Sequence, residues 1–261
     1  MRLKDKVAIV TGAGGGIGRG IASAFAEEGA YLTLCDKDYQ SVKKAAEELK
    51  TPDKDALPLK VDVTLDSDVK QMTSKTLDRF ERIDVLVNNA GIIKVDYVVD
   101  MKEEDWDEVI DTNLKSVFLC CRAVAPHMIQ RKSGKIINIS SQAGKRGSGV
   151  GNTHYCASKF GVIGLTQCLA LELAQFNINV NAICPGIIDT RMWKDVLAPR
   201  YGRIWGITID EAWRRVIKEN IPLQRPQQPS DIANMAVFLA SKDSDNITGQ
   251  AINVSGGSVL W

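Results

Sequence analysis

Short runs that are apolar at every position alternate with amphipathic stretches along nearly the whole chain. Val7-Ala8-Ile9-Val10 is continuously apolar and too short for a helix, the pattern of a strand buried on both faces of a parallel sheet. Beyond it, Ile21, Ala22, Phe25 and Ala26 recur at helical spacing up to Gly29, a natural helix stop. The same alternation continues, with strands at Tyr31 to Cys35, Leu57 to Val61, Ile83 to Val87, Lys135 to Ile139 and Ile178 to Ile183, and a seventh at Gln250 to Val254. Helices are expected at Tyr39 to Lys50, Ser67 to Phe80, Glu103 to Arg131, where Pro126 bends the last turns, and Tyr155 to Gln175. Strand and helix in strict alternation require right-handed crossovers. The predicted fold is therefore α/β, a single doubly wound parallel sheet of about seven strands with helices on both faces, forming one domain over residues 1–261.

The rhythm breaks once. Asp189 to Pro222 follows the sixth strand and carries Trp193, Trp205 and Trp213 among Arg191, Lys194, Arg200, Arg203, Arg214 and Arg215. An insertion of that length beyond a strand end is expected to be a substrate lid, with an oligomer contact as the alternative.

Composition narrows the function classes. A chain of 261 residues, 44% hydrophobic and 25% charged, is an ordinary globular composition, and a formal charge of +1 with no long basic run argues against nucleic acid or an anionic membrane as partner. A small-molecule role is expected. No apolar run reads as long enough to span a bilayer, and Met1 to Lys6 shows no leader pattern, so a cytoplasmic location is expected. The six cysteines contain no C-x-x-C and fall inside periodic segments, which reads as buried free thiols, Cys156 being a packing residue. His127 and His154 are far apart and no cluster has ligand spacing, so no metal is expected, although His154 could touch substrate.

Chemistry concentrates at three places. Gly12, Gly16 and Gly18, with Gly14 and Ile17 between them, lie between the first strand and the first helix, where a tight turn lets backbone N–H groups approach a pyrophosphate. Asp36 ends the second strand, where a carboxylate can accept from an adenosine ribose and repel a 2′-phosphate; NAD is therefore expected over NADP, with Lys37 beside it opposing and a helix-capping role for Asp36 as the alternative. Tyr155 and Lys159 stand one helical turn apart, so an ammonium beside the phenol is expected to pull its pKa toward neutrality and make it a general acid/base.

Thr11-Gly12-x-x-x-Gly16-x-Gly18, Asn88-Asn89-Ala90-Gly91, Asn113, Ser141, Tyr155-x-x-x-Lys159 and Pro185-Gly186 together resemble the short-chain dehydrogenase/reductase family, in its order and over Lys6 to Gly257. The resemblance implies a Rossmann-type sheet and assigns the roles residue by residue. Tyr155 would exchange the alcohol proton, Lys159 would lower its pKa and bind the nicotinamide ribose, Ser141 would hydrogen-bond the substrate oxygen, and Asn113 would hold a water linking Lys159 to solvent. Asp62 and Val63 would line the adenine pocket, Asn89, Ala90 and Gly91 would pass beside the adenosine, and Pro185, Gly186, Ile188 and Thr190 would meet the nicotinamide end. One departure stands out: fourteen positions separate Ser141 from Tyr155, one more than is usual, an excess placed in the Gly147 to Gly151 loop, so that Ser140 or Gln142 could stand nearest the substrate instead.

Ser141-Gln142-Ala143-Gly144, Leu165-Thr166-Gln167, Met192-Trp193 and Thr248-Gly249-Gln250 look most like the branch acting on sugar alcohols, such as sorbitol and sorbitol-6-phosphate, and are also similar to acetoin/2,3-butanediol dehydrogenases. Gln142, Lys145, Arg146, Asn152, His154 and the basic lid offer donors for a polyol or its phosphate, with Trp193 also facing substrate. The expected reaction is reversible NAD-dependent oxidation of a polyol to a ketose; a small diol or acetoin is the first alternative and 3-oxoacyl carrier-protein reduction the second. A nucleotide-binding scaffold without catalysis, or a methyltransferase on a similar sheet, would be the reading from another class. The resemblance further implies a homotetramer, which Val117, Phe118 and Leu119 and the apolar end Val259-Leu260-Trp261 would support.

Overall fold

The continuous apolar runs become strands because both of their faces have something to bury against. In a computed structural model describing residues 1–49 and 56–261, β1 (Val7–Thr11), β2 (Tyr31–Asp36), β3 (Leu57–Lys60), β4 (Val85–Asn88), β5 (Gly134–Ile139), β6 (Ile178–Pro185) and β7 (Ala251–Val254) pair in the order β3-β2-β1-β4-β5-β6-β7. Every pairing is parallel. Side chains divide with period two: Ala8, Val10, Val85, Val87, Ile137 and Ile139 join one core, and Ile9, Leu86 and Ile136 join the other.

The first core is covered by α1 (Gly16–Glu27) and α2 (Tyr39–Glu48), the second by α3 (Asp66–Phe80); further along the chain lie α4 (Glu103–Ile110), α5 (Ser116–Arg131) and α6 (Thr153–Leu173). The expected helix from Glu103 to Arg131 is broken by a π-turn over Asp111–Lys115, which places Asn113 at zero exposure between α4 and α5. The expected end of α2 at Lys50 lies outside the described residues. Val117 and Leu119 are buried in the chain's own core, so of that trio Phe118 alone is exposed, with Arg122 over its ring. Cys168 is exposed, unlike the other five cysteines.

Two helical regions were not anticipated. The insertion folds into a π-turn (Trp193–Leu197), α7 (Ala198–Trp205) and α8 (Ile209–Asn220), which enclose a small core of Ile187, Trp193, Ala198, Val216 and Ile221. Downstream, α9 (Pro229–Ala240) packs on α1 and buries Ile232, Ala233, Ala236, Val237, Leu239 and Ala240 in the first core. The stretch Thr153–Phe176 is long and apolar enough to cross a membrane by length and composition alone, against the sequence expectation that none qualifies. Its apolarity has a local cause: Val162 and Ala170 pack in the sheet's second core, and the same helix carries the buried Lys159.

Candidate active site

Strand order reverses between β1 and β4, and outside the carboxyl ends of these strands lies a cavity of about 1000 Å³. Its floor begins at the glycine turn. Gly12 sits at φ +63°, and a Cβ there would come within 2.9 Å of the Ala90 Cα. A Cβ on Gly18 would stand 2.2 Å from the Gly12 carbonyl oxygen, so helix and strand approach only because both residues lack side chains. Gly14 donates its N–H to Asp36 at 3.0 Å, which ties the turn to the end of β2. Gly15 caps α1 without a side-chain acceptor and no acidic residue occupies the first turn, so the leading N–H groups are left for an anion. Such a cradle fits the diphosphate of a dinucleotide. Gly18→Ala must push Gly12 or Asn89 out of place; we expect it to lower stability by roughly 1–3 kcal/mol in urea unfolding and to weaken NADH binding in a fluorescence titration.

Asn89 closes the turn from the β4 side, donating to the Thr11 and Gly12 carbonyls at 2.9 and 3.1 Å. The Thr11 hydroxyl in turn accepts from the N–H groups of Asn89 and Ala90. Asp36 holds a fixed orientation, one oxygen accepting from Gly14 and the other from the Asp38 N–H at 3.0 Å, and it lines the cavity with Asp62 and Val63. Lys37 is exposed and 3.4 Å from Asp62. Of the residues expected to hold cofactor, Gly12, Gly16, Ile17, Asn89, Ala90, Gly91, Tyr155, Lys159, Pro185, Gly186, Ile188 and Thr190 also line the cavity, whereas Gly14 and Gly18 shape it from behind.

Tyr155 and Ser141 both line the cavity despite the extra residue between them, and the serine hydroxyl acts on the phenol to lower its pKa. The surplus is absorbed in the loop before α6, where Cβ atoms on Gly147 and Gly149 would touch nothing. Ser140 turns away, donating to the Lys159 carbonyl at 2.8 Å, and Ser141 is therefore the serine at the phenol. Lys159 does not reach the phenol oxygen: its Nζ donates to the Ile139 carbonyl at 2.8 Å and lies 5.7 Å from the Tyr155 ring centroid. The expected fall of the phenol pKa is consequently reversed. Burial pushes Tyr155 up to about 12, with the Ser141 hydrogen bond opposing, while burial brings Lys159 down to about 8. Spacing along a helix brought the two side chains near one another, but desolvation sets the direction of both shifts. The carboxamide of Asn113 is taken up by protein, Oδ1 accepting from the Ile92 N–H at 2.8 Å and Nδ2 donating to the Ile92 carbonyl and the Ser158 hydroxyl. It braces the chain after β4 against α6, behind the cavity wall.

The insertion after β6 forms the opposite wall. Trp193 lines the cavity and stacks on Tyr201 at 5.6 Å and 27°. Gln142, Arg146 and Asn152 line it too, but Lys145 is spent on the Ala251 carbonyl at 2.7 Å and His154 is wholly buried away from it, so neither is available to substrate. Tyr201, which also lines the cavity, was missed by sequence reasoning, and Arg200, expected among the basic donors of the insertion, is used within the protein instead. Arg200 donates to the Val150 carbonyl at 2.9 Å and lies 4.3 Å over the Tyr97 ring, pinning α7 to the loop before α6; only the basic, aromatic composition of the insertion hinted at such contacts.

Residues 6–200 match the family model for short chain dehydrogenase. The chain is 41% identical over 265 residues to 3-oxoacyl-[acyl-carrier-protein] reductase FabG of Thermotoga maritima, covering 100% of both. It is 37% identical over 261 residues to (2S)-[(R)-hydroxy(phenyl)methyl]succinyl-CoA dehydrogenase subunit BbsD of Thauera aromatica, covering 100% of this chain and 99% of the relative. Among solved structures, levodione reductase superposes with a TM-score of 0.92 at 32% identity over 100% of both chains, and an actinorhodin polyketide ketoreductase variant with NADPH at 0.94 and 36% over 98% of each. None of these relatives is named for a sugar alcohol or acetoin, so the expected likeness to those branches is not supported.

Proposed function

Because the chain belongs to the short chain dehydrogenase family, an oxidoreductase fold acting on CH–OH and ketone groups, we propose that it reduces a 3-oxoacyl thioester to the 3-hydroxyacyl thioester, with NADH preferred over NADPH. The observation that carries the reading is that Ser141, Tyr155 and Lys159 line one cavity with the glycine turn, the phenol's pKa being raised there by burial. A phenol that stays protonated is a ready proton donor throughout the neutral range, which suits reduction.

A nicotinamide cofactor, held by the glycine turn, Tyr155 and Lys159, would supply the hydride. Tyr155 O–H faces the substrate oxygen and gives its proton as negative charge develops there, and the Ser141 hydroxyl donates to the same oxygen. Lys159, anchored on Ile139, keeps a cation beside the ring without drawing the proton off. The flat wall of Trp193 and Tyr201 suits a short or ring-bearing acyl group better than a polyol, and the relative from Thauera aromatica is named for a phenyl-bearing thioester. Arg146 at the cavity, with exposed Arg203 and Arg214 on the lid, supplies positive charge suited to the phosphates of a thioester carrier.

NADH preference rests on Asp36, whose carboxylate occupies the adenosine end while the glycine turn Thr11 to Gly18 contributes no basic side chain. The four-helix packing of a homotetramer is part of the same proposal, supported by Phe118, Phe160 and Leu171 exposed on α5 and α6. A spectrophotometric assay with acetoacetyl-CoA, acetoin, butanediol and sorbitol, each against both dinucleotides, tests the reading. Fastest oxidation of NADH with acetoacetyl-CoA is expected; sorbitol turnover without thioester reduction would discard it.

A further inference from the structure

The lid carries a cation to the roof of the glycine turn. Thr190 and Arg191 lie beyond Gly186 to Asp189 after the end of β6, and the stretch is held in place by the bridge between Ile188 and Gln227 and by the Asp189 N–H on the Gln227 carbonyl at 3.2 Å. Two successive residues thereby cover two successive glycines. The Thr190 methyl lies 3.8 Å from the Cβ position of Gly16, and the Arg191 Nη2 lies 3.5 Å from that of Gly15. Lys194, nearby on the lid, is neutralised by Asp189 at 2.7 Å. Arg191 makes no ion pair among the described residues, and Asp38, which feels its charge, spends its own carboxylate on Gln40 and Ser41.

The exposed Arg191 guanidinium and an uncapped helix N-terminus, worth about half a positive charge, thus lie close together at the glycine turn. Two positive features so placed favour an anion lying in the gap. A guanidinium presents a planar fork of donors that matches phosphate oxygens, and such charge-assisted bonds are roughly twice as strong as neutral ones.

We propose that Arg191 is a lid-borne clamp on the cofactor diphosphate, closing over it from the side opposite to the N-terminus of α1. The inference rests on the dinucleotide reading given above and adds a consequence: the dinucleotide holds down the root of the lid, so the substrate wall of Trp193 and Tyr201 is set only after the cofactor is in place.

The test is direct binding to the full chain, without turnover. NADH is titrated by its fluorescence, and ADP and adenosine are measured by displacement, for the wild type, Arg191→Gln and Arg191→Lys. Arg191→Gln is expected to weaken NADH and ADP by about 10- to 100-fold, NADPH by the same factor, and adenosine not at all. Arg191→Lys should recover part of the loss. Retained adenosine affinity shows that the site remains folded. Unchanged NADH and ADP binding in Arg191→Gln overturns the clamp while leaving the dinucleotide reading intact. A loss confined to NADPH overturns it as well, since Arg191 would then read the 2′-phosphate. A wild type that binds neither dinucleotide overturns both.

Discussion

Tyr155→Phe is expected to reduce turnover by roughly three orders of magnitude, within the range of a lost general acid, while the NADH dissociation constant stays within about twofold of the wild type. The substitution removes one oxygen and keeps the ring that Lys159 approaches to 5.7 Å, so packing in the wall of the cavity is preserved. What disappears is the phenol proton, whose pKa burial pushes up to about 12. Ser141 still reaches the substrate oxygen, because its own orientation is fixed by the Ala143 N–H it accepts at 3.1 Å, and a residual rate from that single donor is expected. The two directions of reaction separate in the wild type: reduction uses the phenol and holds steady across neutral pH, whereas oxidation needs the phenolate and climbs as the pH is raised. A phenylalanine variant that keeps more than about a tenth of the wild-type rate would show that the proton comes from elsewhere.

The residues that could be read from sequence are those whose reason is local. Ala8, Ile9 and Val10 announce a two-faced strand because every position is apolar, and the glycines after them announce a turn because no other residue fits beside Gly12 and Asn89. What stayed hidden depends on contacts distant in sequence. The π-turn around Asn113 exists because that carboxamide is gripped by Ile92 and Ser158, two segments that no periodicity links. Tyr201 becomes a cavity wall only when α7 folds back on Trp193. Other omissions were legible and overlooked: Gln228 and Asp231 form a capping box around Pro229 ahead of an apolar run, and Thr208 with Glu211 does the same for α8. The substrate misled for a third reason. The segments that suggested a sugar alcohol include Thr166, bonded to the Val162 carbonyl inside α6, and Thr248, bonded to Val180, so they report scaffold rather than ligand.

The charge state of Lys159 links the site to the stability of the whole fold. Its pKa falls from 10.5 to about 8 on burial, so between those values the unfolded chain binds more protons than the folded one, and stability rises with pH across that window. Below about pH 8 the ammonium is carried in both states and the folded protein bears the full cost of burying it, an upper limit of about 3 kcal/mol. Replacing it with methionine, of similar length and apolar, removes that cost and forfeits the bond to the Ile139 carbonyl, worth about 1 kcal/mol. The cofactor-free Lys159→Met protein is therefore expected to be more stable than the wild type by about 2 kcal/mol near pH 7, and to lose turnover together with the cation beside Tyr155. The advantage should shrink as the pH is raised through about 8 toward 10.5, because the wild type then recovers what the variant never lost. Tyr155 and the buried thiols Cys120 and Cys121, all raised by burial, make both proteins less stable at high pH, so the quantity to follow is the difference between them. Urea unfolding of both proteins at about pH 7 and about pH 9.5 measures it; a difference that does not change with pH would mean that Lys159 is not the group setting the trend.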